Sequence, residues 1–227
     1  KANSFIWLEA NQQTAAKQIV SVFLCPSDPS TLSGPFAPIS YRACTGLGEL
    51  RRLSENSVIP INDGAFAQID DGSSKVLPLS SVRDGLSNTL AFSEKPIGSG
   101  SSGAGYLPFQ DWVTVPIKTH ILKAEDWVEV CSRIDAKDPQ LDAGGSWMIP
   151  GAIYTHFYVS LPPNTPIPDC GTSSINSGLG IFAARSYHPG GVNAAMLDGS
   201  VRWYSSTTDK QTWRSLGTRN GGEANAP

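Results

Sequence analysis

No stretch of this 227-residue chain approaches the roughly 18 to 20 consecutive apolar residues that a membrane-spanning helix needs. Charge of one sign is missing too. Lys and Arg number 17 against 20 Asp and Glu, and a net charge of -3 excludes the basic footprint of a nucleic-acid binder. The four cysteines, Cys25, Cys44, Cys131 and Cys170, form no CxxC pair and no zinc-ligand spacing. Phosphate loop, G-x-S-x-G elbow and H-E-x-x-H are absent. Gly98, Gly100 and Gly103 have the G-x-G-x-x-G spacing but lie in a Gly- and Ser-rich loop with no helix signal after it. This removes the motif grounds for the common nucleotide folds, α/β-hydrolases and zinc proteases. His120, His156 and His188 lie far apart. These absences lower the prospect of an enzyme without excluding one. What remains, 40% hydrophobic residues over 227 positions, is ordinary for a globular chain with one large core or two small ones.

An even cysteine count in a loop-rich chain suggests two disulfides, for which three connectivities exist. Nesting within sequence neighbours favours Cys25–Cys44 and Cys131–Cys170. Each closes a loop worth on the order of 3 kcal/mol through the unfolded state, and disulfides imply an oxidising compartment.

Helix signals are few. Asn11 to Ile19 is rich in helix formers and gives way to a strand, Val20 to Leu24; a short helix is expected over Leu79 to Asp84, with Gly85 past its end. Thr208 to Leu216 carries a capping box, Thr208-x-x-Gln211, and Gly217 follows as a C-terminal cap. Ile97 to Gly105, rich in Gly and Ser, reads as a mobile loop, and Leu161 to Pro168, with four prolines, as extended and irregular. The fold class is α+β: a mainly antiparallel sheet with few short helices and long loops, one domain over 1–227 with an inserted loop-rich region at about 106–169.

The richest segment lies near the C-terminus: His188, nine residues, then Asp198-Gly199. Pro189-Gly190-Gly191 and Asp198-Gly199 are turn chemistry between strand-length runs at Gly180 to His188, Val192 to Leu197 and Val201 to Ser205, which predicts a three-stranded meander. With a two-residue Asp198-Gly199 loop, Met196 faces Val201 and Ala194 faces Trp203.

This block resembles the ending of the prepilin-type family, abundant in planctomycetes, that is named for its His-nine residues-Asp-Gly motif. Other blocks match in order: Phe23-Leu24-Cys25-Pro26-Ser27-Asp28-Pro29, then Asp84-Gly85-Leu86-Ser87-Asn88-Thr89-Leu90 closing on Glu94, then Pro162-Pro163-Asn164-Thr165-Pro166 with Asp169-Cys170, and Trp213 to Arg219 after the final motif. The resemblance implies a pilin-like head that partners other pilin-like subunits through an N-terminal stem helix, extracytoplasmic and membrane-anchored in the full-length protein. Neither the leader nor the stem lies in these 227 residues, and Lys1 is not a natural start, so the chain reads as a fragment.

His188 and Asp198 suggest a metal pair, but ten extended steps at about 3.3 Å set them up to about 30 Å apart. Each is expected to stabilise its own turn, with His188 bonded to a backbone carbonyl or a carboxylate such as Glu94. Asp84, Ser87, Asn88 and Glu94 offer oxygens for calcium, yet not at EF-hand spacing; a helix end, a turn at Gly85 and a strand leading to Glu94 is the favoured alternative. No catalytic residue and no metal site is therefore expected, and no cofactor. The leading function is a non-catalytic pilin-like or pseudopilin-like subunit. The alternatives are a surface polysaccharide-binding module, using exposed Trp and Tyr, and an extracytoplasmic glycan hydrolase, for which Asp111-Trp112 or Glu125-Asp126-Trp127 could supply carboxylates.

Overall fold

The computed structural model describes residues 10–30, 34–54, 57–60, 63–66, 77–100, 105–116, 123–172 and 179–222. In chain order the strands are β1 (Tyr41–Cys44), β2 (Leu50–Ser54), β3 (Ser57–Pro60), β4 (Leu90–Glu94), β5 (Trp112–Thr114), β6 (Pro139–Gln140), β7 (His156–Phe157), β8 (Asp169–Gly171), β9 (Gly180–Ile181), β10 (Gly191–Met196) and β11 (Val201–Ser205). The helices are α1 (Ala10–Ala16), α2 (Ala124–Ser132) and α3 (Lys210–Gly217). A five-stranded sheet runs β11-β10-β4-β1-β7, a four-stranded sheet β6-β5-β8-β9, and β2 and β3 form a hairpin. Among the described residues, β1–β7 and β5–β8 pair in parallel and the other strand pairs are antiparallel. The fold is α+β, mainly antiparallel, with few short helices. None of the helices among the described residues is long and apolar enough to cross a membrane.

The long sheet has two unlike faces because side chains alternate along each strand. Cys44, Val192, Ala194 and Met196 pack inward on Phe157, Trp213 and Leu216. Register places Tyr41 beside Glu94, and Asn193 beside Trp203, on the other face. Beside that core runs a buried ionic cluster: Lys95 and Arg185, each 1% exposed, both pair with the fully buried carboxylate of Asp169 on β8. Arg185 also donates to the carbonyls of Thr165 and Ile167, and Asp169 accepts from Ala183 N at 3.2 Å. The proline-rich stretch is thereby fixed by polar contacts, not by strand pairing.

Several sequence expectations are corrected. The Asp198-Gly199 connection is a three-residue loop, Leu197-Asp198-Gly199, closed by Met196 N bonding to Ser200 O at 2.8 Å. Gly199, at φ +86°, takes the left-handed position of the bulge that ends such loops. Every pair shifts by one, so Ala195 faces Val201 and Asn193 faces Trp203. No three-stranded meander forms, because β4 takes the far side of β10 while Gly180–Ile181 joins the other sheet. After α1 the chain makes a 3-10 turn at Ser21–Phe23 instead of a strand, and Leu79–Ser81 is again a 3-10 turn. The cap of α3 is Asp209, whose carboxylate accepts from Thr212 N at 2.9 Å, in place of Thr208. Gly217 lies within the helix, where a Cβ would stand 2.2 Å from Val159. In the segment expected to be a mobile loop, Ile97, Gly98 and Ser99 are buried and Gly98 N bonds to Ala143 O; residues 101–104 lie outside the described residues.

Gly199→Val should lower stability by about 2 kcal/mol, roughly 4–8 °C in Tm at this chain length. An added Cβ meets nothing within 4 Å, so the cost is conformational alone. An unchanged melt would show that the loop does not need its left-handed residue.

His156 on β7 supplies a second test. Its ring Nδ1 is buried although the residue as a whole is partly exposed, and burial, aided by Arg42, pushes its pKa down to about 4. Below an unfolded pKa near 6.5 the unfolded chain takes up a proton that the folded ring refuses. Stability should therefore fall on acidification from about pH 6.5 to about pH 4, by at most about 3 kcal/mol. Urea titrations of wild type and His156→Phe across that range check this: the difference curve should be flat above pH 7 and slope below it, and a flat curve throughout would refute it.

Candidate functional site

The motif residues separate into two sets. Asp198 accepts from Ser200 N at 2.9 Å and from Ser200 Oγ at 2.7 Å, bonds that hold its carboxyl below the usual range. Its own N–H donates to Leu86 O, and Leu197 N donates to Thr89 O, so the loop seats against the Asp84 to Glu94 block. Within that block Asp84 accepts from Gly221 N and Gly222 N at 2.8 and 3.1 Å. Asn88 Nδ2 and Thr89 Oγ1 donate to the carbonyls of Asp84 and Gly85, while Gly85 turns the chain at φ +95°. Asp84 and Asn88 are thus occupied in fixing the backbone, and Glu94 sits at the far end of β4. Of the two carboxylates considered for calcium, Asp84 is turned to Gly221 and Gly222 and Glu94 to Asn193 and His188.

The second set is Glu94, His188 and a residue that sequence reasoning assigned elsewhere, Cys25. His188 Nε2 lies 3.1 Å from Glu94 Oε1, the pairing expected for it. Cys25 Sγ lies 3.6 Å from the same Nε2 and 3.9 Å from the same Oε1. Glu94 and Cys25 are buried at 4% and 8% exposure, and the His188 side chain, at 28%, opens to solvent beside Trp203, whose ring meets it edge-on at 6.3 Å. Asn193 orients the carboxylate: its backbone N–H donates to Oε2 at 2.8 Å and its amide to Oε1 at 3.2 Å. Tyr41 lies next to Cys25, and burial, then the charges of Cys25 and Glu94, push its phenol up to about 12. Register explains the meeting, since Tyr41, Glu94, Asn193 and Trp203 form one cross-strand row on the outward face.

The cysteine pairing is half as expected. Cys131 and Cys170 are bonded, tying α2 to β8, but Cys25 and Cys44 are free. Cys44 stands three residues beyond Tyr41, an odd step that turns it to the inner face, where its thiol faces Gly217 O. Cys25 approaches the outer face, so the sheet separates the two sulfurs. Nesting in sequence carries no information about which side of a strand a side chain takes.

The carboxylates considered for a hydrolase are engaged. Asp111 is fully buried and accepts from Ser99 N, Ser99 Oγ and Leu107 N, each at 2.7 Å. Glu125 pairs with Arg214 and Lys210, and Asp126 accepts from Lys123 N at the start of α2. A separate cleft of about 570 Å³ lies between Leu47, Pro78, Arg83 and Arg219. Among the described residues it holds one carboxylate, Asp63, pushed up to about 6 by burial. Glycoside hydrolysis by the usual route needs two carboxylates.

No curated protein and no solved structure matches this chain. One family profile does, over residues 3–211, and its span takes in Cys25, Glu94, His188 and the Asp198-Gly199 loop. By that match, covering nearly the whole chain, the protein belongs to the family described as proteins of unknown function, DUF1559.

Proposed function

We propose that this chain is the globular head of an extracytoplasmic, membrane-anchored, pilin-like subunit, of the type IV pilus or type II secretion pseudopilus kind, without catalysis. The observation that carries this reading is how α1 meets the head. Its last residue, Ala16, is fully buried among Phe36, Trp112, Ile149 and Phe182, and its carbonyl accepts from Ala37 N at 2.7 Å. A helix delivered end-first into the core suits a head carried on an N-terminal helix. The Cys131–Cys170 disulfide supports an oxidising compartment. The sequence resemblance supplies the pilin type. Protease shaving of intact cells making the full-length protein tests it: the head should be degraded from outside while the membrane keeps an N-terminal remnant. Recovery of the intact protein in the cytosol would refute it.

A second reading, a polysaccharide-binding surface, is favoured by exposed Trp203, Tyr187 and Phe92, at 48%, 40% and 43%. Titration with a panel of soluble polysaccharides separates the two, because binding that disappears in Trp203→Ala belongs only to the second.

A further inference from the structure

The geometry points to a zinc site formed by Cys25, Glu94 and His188. It brings together three of the sequence blocks described above, and it goes beyond the subunit role, which stands or falls without it.

Three ligand-type atoms converge on one point: Cys25 Sγ, Glu94 Oε1 and His188 Nε2 all lie within 4.8 Å of one another. Tetrahedral zinc sets bonds of about 2.3 Å to sulfur, about 2.0 Å to nitrogen and about 2.0 Å to oxygen. The corresponding tetrahedron edges are about 3.5 Å for sulfur to nitrogen, about 3.5 Å for sulfur to oxygen and about 3.3 Å for nitrogen to oxygen. The observed edges are 3.6, 3.9 and 3.1 Å. The three atoms therefore sit within a few tenths of an ångström of a tetrahedral face.

The same distances disfavour a nucleophile relay. In a thiol–imidazole–carboxylate relay the thiol and the carboxylate occupy opposite ring nitrogens. Here both face Nε2, whose single proton cannot serve the two at once. A cation at that point satisfies all three.

The surroundings fit a metal. Asn193 holds both oxygens of Glu94, its backbone N–H on Oε2 and its side-chain amide on Oε1, with Oε1 also facing the thiol and the ring, the kind of outer support that fixes a ligating carboxylate. Thiolate and carboxylate together carry two negative charges, which match a divalent ion. Thiolate with imidazole selects zinc over magnesium or calcium. Lys95 and Arg185 line a neighbouring cavity of about 10 Å³ with Cys25 and Glu94, but both are committed to Asp169. Loading releases the Cys25 thiol proton and replaces the His188–Glu94 contact, with the remaining ring proton on Nδ1. The solvent-side opening at His188 leaves the fourth position to water.

The test uses the whole chain, stripped with chelator and titrated with Zn(II), and in parallel with Co(II) as a visible probe. The expected result is one metal per chain, with a thiolate-to-cobalt charge-transfer band and d–d bands of tetrahedral intensity. The band should vanish in Cys25→Ser and persist in Cys44→Ser. Asn193→Ala should weaken zinc binding roughly 10- to 100-fold. If Cys25→Ser does not fold, protection of the Cys25 thiol from alkylation by added zinc in the wild type replaces it. Failure to bind stoichiometric metal, a cobalt spectrum without the thiolate band, or alkylation of Cys25 unaffected by zinc overturns the proposal.

Discussion

Asp169→Ala should cost about 3–5 kcal/mol, the largest loss expected from any single substitution discussed for this chain. The carboxylate is fully buried and is the shared counter-ion of Lys95 and Arg185, both also buried. Removing it strands two cations in a low-dielectric interior and leaves Ala183 N without its acceptor. Asp169→Asn should lose less, because an amide oxygen can still take the Ala183 bond. Urea denaturation at pH 7 checks the order: wild type above Asn, Asn above Ala. If the alanine variant matched wild type, the cluster would contribute nothing to stability.

The same carboxyl fixes an acid limit. Burial alone would raise its pKa, but Lys95 and Arg185 outweigh burial and hold it below the usual range. A carboxyl depressed in the folded state contributes its stability above the unfolded value near 3.9 and loses it as pH falls through the lower folded value. Wild type should therefore unfold steeply in that acid range, and Asp169→Asn should lack that part of the slope.

Opening the Cys131–Cys170 disulfide is the second large effect. The bond spans 39 residues, for which loop entropy in the unfolded chain corresponds to about 4 kcal/mol. Both sulfurs are buried, so reductant acts once the chain opens. Equilibrium denaturation of wild type with and without dithiothreitol should differ by about that amount, and a Cys131→Ser/Cys170→Ser double variant should behave like reduced wild type in both conditions. Equal midpoints for oxidised and reduced wild type would rule the effect out. Asp169 adjoins Cys170 on β8, so the two losses should not add when combined.

The sequence by itself determined the α+β class and the strand-length runs around the Asp-Gly loop, and it offered Cys131–Cys170 and Glu94–His188 as favoured pairings among alternatives. Those follow from local chemistry: alternation sets strands, Gly and Asp set turns, and a carboxylate at a strand end seeks a donor. Even there the register was one residue off, because Leu197-Asp198-Gly199 closes with a left-handed glycine that the two-residue alternative does not contain. Only the tertiary structure decided that β4 lies beside β10, since strand partners are chosen by burial across the whole sheet and leave no mark on either strand alone. That choice set Glu94 next to Asn193 and under His188. Alternation along β1 turned Cys44 to the inner face while Cys25 meets the outer one, which ended their pairing and set one thiol 3.6 Å from His188. Residues 163 positions apart meet there because of sheet order and side-chain alternation, two properties that spacing along the chain does not contain.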